Sequence, residues 1–148
     1  MAKPTMIELA KRKIDHINDD DYYRFLRREW GNFNFHRNIQ TKYEDYHFGA
    51  FERGNLVGVA GITILDDTCI FEDLIINDKK RGSGFGKALL ERVEEKSREE
   101  ECRQIIGHTS DIHSVAKDFY LKYGFEIVAT LPNWKYNVTW YDIRKFLQ

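Results

Sequence analysis

In the first third of the chain, apolar residues recur at helical spacing. Met6, Leu9, Ala10, Ile14 and Ile17 fit one helical stripe, while Ile7 and Leu9 also fit a short strand. Residues 19–31, DDDYYRFLRREWG, are clearer. Asp19, Asp20 and Asp21 offer cap oxygens and negative charge at a helix start, Tyr22, Phe25, Leu26 and Trp30 recur at helical spacing, and Gly31 is placed to end the helix. The following NFNFHRNIQTKYED reads as an aromatic, irregular loop.

From Tyr46 the period changes to two. YHFGAFE, LVGVAGITIL and TCIFEDLIIN are three strands separated by the tight turns RGN and DD, an antiparallel meander. A glycine-rich turn follows and opens a helix whose Phe85, Leu89, Leu90 and Val93 form one apolar stripe, with Glu91, Glu94, Glu95 and Lys96 toward water. RQIIGHTS is a short strand. SVAKDFYLKYGF is a second amphipathic helix, stopped at Gly124, where a left-handed residue is needed. EIVATL is a strand, LPNWKYN a loop and VTWYDIRKFL the last strand. Strands in a run, then strands alternating with helices, imply a mixed α/β sheet with helices on its faces.

Composition narrows the class. At 148 residues and 42% hydrophobic content the chain is sized for one domain, 1–148, and no linker or repeat divides it. Charged residues make up 32% but balance to a net charge of −1, which argues against a general nucleic-acid binder. No stretch approaches the ~20 apolar residues of a membrane span, and no leader pattern is visible, so a cytoplasmic protein is expected. Cys69 and Cys102 form no spaced pair and read as free thiols. His16, His36 and His47 read as surface or structural. No pair of histidines has metal-ligand spacing with a third ligand nearby, so no metal is expected.

The chemistry gathers at RGSGFGK, residues 81–87. A P-loop would need four residues between its glycines and Ser or Thr after the Lys; Gly82 and Gly86 are too close, and Ala88 follows Lys87. A dinucleotide fingerprint would need Gly where Lys87 stands. The physics outlasts both failures. Successive backbone N–H groups at a glycine turn and a helix start form an anion site, with Arg81 and Lys87 at its rim.

Arg81-Gly82-Ser83-Gly84-Phe85-Gly86 resembles the Q/R-x-x-G-x-G/A motif of the GNAT superfamily of N-acetyltransferases. HSVAKDFYLKYGF is similar to the family's N-x-x-A-x-x-x-Y-x-x-x-G-F, with Ala116, Tyr120, Gly124 and Phe125 in place and His113 where many members have Asn. The resemblance runs from about Tyr46 to the C-terminus. It implies a GNAT-like mixed central sheet with helices on both faces. It also implies acetyl-CoA as acyl donor, its pyrophosphate on residues 81–87, with His113 and Ala116 nearby. The pantetheine arm would pair like an extra strand with the backbone of Leu74 and Ile76, since a sheet edge offers unpaired N–H and C=O groups.

By the same resemblance, Tyr120 is the acid that protonates the departing thiolate; a phenol of ordinary pKa ~10 keeps its proton at pH 7. Glu72, on the strand before the turn, is the candidate base, directly or through a water, and Asp73 is its rival. On an ideal strand Glu72 shares a face with Leu74 and Ile76, and Asp73 faces the other way, unless a bulge intervenes. His108 could relay a proton, but strand-end packing is favoured. Trp30, Phe33, Phe35, Trp134 and Tyr136 are candidates for the acceptor pocket, and Glu44 and Asp45 for attracting a cation. The expected reaction is direct acetyl transfer to a primary amine in a ternary complex, the amine a small molecule or a peptide. The rival from another class is a non-catalytic acyl-CoA sensor or partner module. A homodimer through VTWYDIRKFL as an edge strand is a further expectation.

Overall fold

The computed structural model describes residues 2–3 and 12–148. The apolar positions at residues 6–10 lie outside the described residues. The chain falls into two compact units, Met1–Gln40 and Thr41–Gln148.

The first unit contains helix α1, Asp19–His36. Its cap is Asn18, whose side-chain oxygen accepts from the Asp21 N–H at 2.8 Å, so the three aspartates form the charged first turn rather than the cap. The expected stop at Gly31 does not occur, and the stretch read as a loop completes the helix. Glycine inside a helix costs about 1 kcal/mol relative to Ala but does not break it. The helix ends where the Arg37 N–H bonds to the Asn34 and Phe35 carbonyls.

The second unit is a six-stranded mixed sheet: β1 Tyr43–Glu52, β2 Asn55–Leu65, β3 Thr68–Ile76, β4 Gln104–Ser110, β5 Glu126–Leu131 and β6 Trp140–Phe146. The spatial order is β1-β2-β3-β4-β6-β5. The β1–β2 hairpin turns on Arg53 and Gly54, both with positive φ, as a two-residue turn matched to strand twist requires. Helix α2, Phe85–Glu99, carries the chain from β3 to its parallel neighbour β4, and α3, Ser114–Lys122, lies between β4 and β5. The core joins Ala60, Ile62 and Ile64 of β2 to Leu89, Leu90 and Val93 of α2, with Ile105, Phe125 and Ile143. The sequence placed VTWYDIRKFL at an edge; instead β6 lies between β4 and β5, and β5 is the edge.

Charge ties the rim of this unit together. Glu100, just past α2, accepts from Lys42, from Lys96 at 2.6 Å and from the Tyr46 hydroxyl at 3.1 Å. These donors, Lys42 first, hold the Glu100 carboxyl down at about 2.

Candidate active site

The central feature is a parting of strands. β3 and β4 pair at Thr68↔Gln104, Cys69↔Ile105 and Ile70↔Ile106, and then separate. β3 continues along β2 to Ile76, and β4 continues along β6 to Ser110. Each therefore carries unpaired backbone on the side facing the other. A cleft of about 40 Å³ fills the opening, lined by Phe71, Glu72 and Leu74 of β3, Gly107 and His108 of β4, and Tyr120 of α3.

A bulge shapes the β3 wall. Ile62 pairs with Phe71 and Gly61 with Asp73, so Glu72 is the extra residue. The alternation expected of an ideal strand is broken there. Phe71, Leu74 and Ile76 pack against the core. Glu72 turns to the opposite face, the side of Thr63 and Asp73. Thr63 Oγ1 lies 2.7 Å from Asp45 Oδ1 and 3.2 Å from Glu72 Oε1, so one hydroxyl serves two carboxylates. Asp73 therefore does not face away from Glu72. Both line a second, wider hollow of about 320 Å³ with Tyr43, Asp45, His47 and Thr63. Glu72 alone borders both spaces. Of the two acids offered for attracting a cation, Asp45 lines this hollow from β1, while Glu44 is taken up by the Tyr46 hydroxyl.

Tyr120 stands in an aromatic socket. Phe119 and Phe125 meet its ring edge-on at 5.4 Å and Phe71 at 6.0 Å. Burial pushes its phenol up to about 12, so it holds its proton throughout the physiological range. Its hydroxyl has no hydrogen-bond partner among the described residues and remains available to whatever enters the cleft. His108, opposite, is not packed away as a strand end. It is exposed, with its ring edge-to-face with Trp134 at 5.3 Å. Its neighbour Thr109 is 3% exposed, and its hydroxyl has no partner among the described residues.

The glycine turn follows the end of β3. Gly82 and Gly84 have φ of 77° and 89°, and a Cβ at either would meet nothing within 4 Å. Their left-handed backbone requires glycine, and the space above them is open. Gly84 caps α2 without any side-chain bond, and no acid occupies that first turn. Helix α1 offers the contrast, with an Asn cap and three aspartates at its start. The N–H groups at the start of α2 thus have no acidic side chain of that turn beside them, and Lys87 and Ser83, both exposed, adjoin them. This open cradle fits a pyrophosphate. Gly86 differs, since its Cβ would touch the Phe119 ring at 3.5 Å. Arg81 bends back: its Nε donates to the Ile76 carbonyl at 3.1 Å and its guanidinium pairs with Asp78 at 2.7 Å. The Ile76 carbonyl is therefore already engaged, whereas Leu74 lies on the cleft wall.

His113 precedes α3, with Nδ1 2.8 Å from the Ser110 hydroxyl and its ring 5.9 Å from that of Trp140. Ala116 lies in the first turn of α3. In the loop between β5 and β6, Trp134 packs edge-on to Trp140 at 5.3 Å, and its contact with His108 brings it to the cleft rim. Tyr136 leans over Trp140 and is 77% exposed. Trp30 and Phe33 lie on α1, in the other unit, edge-to-face with one another at 5.1 Å, and Phe35 is on the same helix. Thr63 and Tyr43 carry no motif in the sequence; they reach the hollow through strand register, Thr63 opposite Ile70 and Tyr43 opposite Leu65.

A mixed sheet that parts beside a glycine turn and a helix start is the arrangement that the family resemblance implied. The sequence profile of the acetyltransferase (GNAT) family matches residues 11–125, and the chain belongs to that family. A stretch of 82 residues is 33% identical to the uncharacterized protein YdhI of Bacillus subtilis, covering 55% of this chain and 50% of that one. The chain thus matches about half the length of that relative. Among solved structures, an acetyltransferase from Bacillus cereus superposes with a TM-score of 0.78 at 17% identity, over 93% of this chain and 99% of the other. A GNAT family acetyltransferase from Elizabethkingia anophelis with acetyl-CoA bound gives 0.63 at 18% identity, over 70% and 76%. At such identities these two structures speak for the fold. Family and fold support acyl transfer, and the family implies acetyl-CoA as donor. Among the described residues no helix is long and apolar enough to cross a membrane.

Proposed function

We propose that this acetyltransferase moves an acetyl group from acetyl-CoA to a primary amine by direct attack in a ternary complex. The observation that carries the reading is the Tyr120 hydroxyl, proton-bearing and without a partner among the described residues, at the point where β3 and β4 part. The amine nitrogen forms its bond to the thioester carbonyl carbon and gives up a proton. The carbon–sulfur bond breaks, and the thiolate takes the proton of Tyr120. Glycines 82 and 84 and the start of α2 hold the donor's pyrophosphate, and the unpaired side of β3 at Leu74 receives its amides. The hollow bearing Asp45, Glu72 and Asp73 supports an acceptor that arrives as a cation, with Glu72 meeting it at the cleft. Trp134 at the rim would contact the acceptor's body.

The test is CoA release from acetyl-CoA across small amines, polyamines and peptide N-termini, with Tyr120→Phe in parallel. Transfer to one acceptor class is expected. The variant, which keeps the ring in its socket, should lose about a hundredfold in turnover while acetyl-CoA affinity stays within about threefold. Tight acetyl-CoA binding with no transfer to any acceptor would favour a non-catalytic acyl-CoA sensor. Equal loss of binding and turnover in the variant would make Tyr120 structural.

A further inference from the structure

The geometry points to His108 as the group that takes the amine's proton. This rests on the amine-transfer reading above. Ile70↔Ile106 is the last pair between β3 and β4. Glu72 and His108 each lie two residues beyond it, one on each strand of the same cleft, which Tyr120 of α3 also lines.

Glu72, the base expected from sequence, is poorly suited to the final proton transfer. The bulge places it with Asp73, and through Thr63 with Asp45, so three carboxylates share one hollow. Such a field favours the charged form of any amine nearby and holds its proton on. It is suited to collecting an ammonium and opposes releasing one. A base without negative charge of its own on the far wall resolves the conflict: a ring nitrogen of imidazole can accept a proton and does not add to the field that holds it on the amine.

The groups around His108 leave its ring free for this. Asp142, its register partner on β6, is engaged by Arg144 at 3.1 and 3.2 Å. Lys135, on the adjoining loop, lies over the Trp134 and Trp140 rings at 4.4 and 5.2 Å. Glu72 and Tyr120 face it across the cleft. No hydrogen bond from any described residue ties up the imidazole. Trp134 steadies the ring edge-to-face, and Trp134 in turn packs on Trp140, whose Nε1 donates to the Lys135 carbonyl at 2.9 Å. In the step, an ammonium proton passes to an imidazole nitrogen and on to water, and the freed amine nitrogen attacks the carbonyl carbon. As the carbon–sulfur bond breaks, Tyr120 gives its proton to the thiolate and regains one, through water, from the new amide nitrogen.

The experiment compares wild type, His108→Gln and His108→Ala on the acceptor identified above, from pH 6 to 9.5. It adds acetyl-CoA binding by calorimetry and free imidazole as a rescue agent. His108→Gln should lose about a hundredfold in kcat near pH 7, with donor affinity within about threefold. The deficit should narrow at high pH, where the amine loses its proton unaided, and imidazole should restore part of the activity of His108→Ala. A variant with wild-type kcat and pH profile would overturn the assignment. So would a deficit that is constant with pH and indifferent to imidazole, the mark of a structural role. The wild-type control separates the two ideas: no transfer by wild type sinks the amine-transfer reading and His108's role with it, whereas wild-type transfer unaffected by His108→Gln sinks the latter alone.

Discussion

Gly84 and Gly86 are two residues apart in one motif, yet they should respond oppositely to the same methyl group. At Gly84 the φ of 89° is left-handed and the new Cβ meets no atom within 4 Å, so the cost is torsional. It amounts to about 1–2 kcal/mol, offset by about 0.4–1 kcal/mol from the reduced freedom of the unfolded chain. The net loss is about 1 kcal/mol, or roughly 3 °C in Tm for a chain of this size. At Gly86 the backbone is helical, and the methyl would rest on the Phe119 ring at 3.5 Å, an ordinary contact. Gly86→Ala should therefore be neutral or gain up to about 1 kcal/mol. Ligand affinity adds a second axis. The Gly84 methyl would project into the open cradle and should weaken acetyl-CoA binding by about tenfold or more, roughly 1.4 kcal/mol. The Gly86 methyl points at Phe119 and should change affinity by less than about threefold. Thermal unfolding followed by circular dichroism and calorimetric titration with acetyl-CoA measure both. If Gly84→Ala melted at or above wild type, or if the Gly86 methyl cost as much affinity as the Gly84 one, the cradle would be wrongly drawn.

Other substitutions probe other parts of the unit. Thr109→Val removes a buried hydroxyl that lacks a partner among the described residues, so it should raise stability by up to about 1 kcal/mol; a clear loss in urea denaturation would reveal a bond the structure does not contain. Glu100 is held at about 2 against an ordinary 4.5. Its contribution to folding is complete above pH 4.5 and is lost as pH falls toward 2. The gap in Tm between wild type and Glu100→Gln should thus be full at pH 7 and close below pH 3; a gap independent of pH would refute the ion-pair account. Gly84→Glu, which sets a carboxylate where a phosphate is expected, should abolish detectable acetyl-CoA binding, and retained affinity would count against the anion site.

Much of the fold was legible because it is written in local periods. The change from helical spacing to alternation near Tyr46 marked the sheet, and the stripe through Leu89, Leu90 and Val93 marked the helix that covers it. Gly124 was readable for the same reason, since its φ of 93° is a local demand that few residues meet. The errors arose where the decisive term is not local. Gly31 looked like a helix stop, but the hydrogen-bonded turns on either side outweigh one residue's propensity. VTWYDIRKFL was expected at an edge by resemblance, as a late strand through which a homodimer could form, and the position of a strand in the chain says little about its place in the sheet. At the candidate site, the motifs singled out the glycines and Tyr120, whereas the face on which Glu72 lies was set by a single extra residue opposite Gly61 and Ile62. His108 carries no motif of its own. Its place on the cleft follows from where two strands cease to pair, which is a fact of register.

That cessation has a thermodynamic consequence. Two strands in the middle of a sheet give up their mutual hydrogen bonds after three pairs, so the sheet carries unpaired backbone at its centre. A molecule that fills the gap, and that the unfolded chain cannot hold, adds RT ln(1 + [L]/Kd) to the free energy of unfolding, about 2.7 kcal/mol at a hundred times its Kd. The persistence of this protein against unfolding and proteolysis would then rise and fall with the concentration of the molecule that completes its sheet.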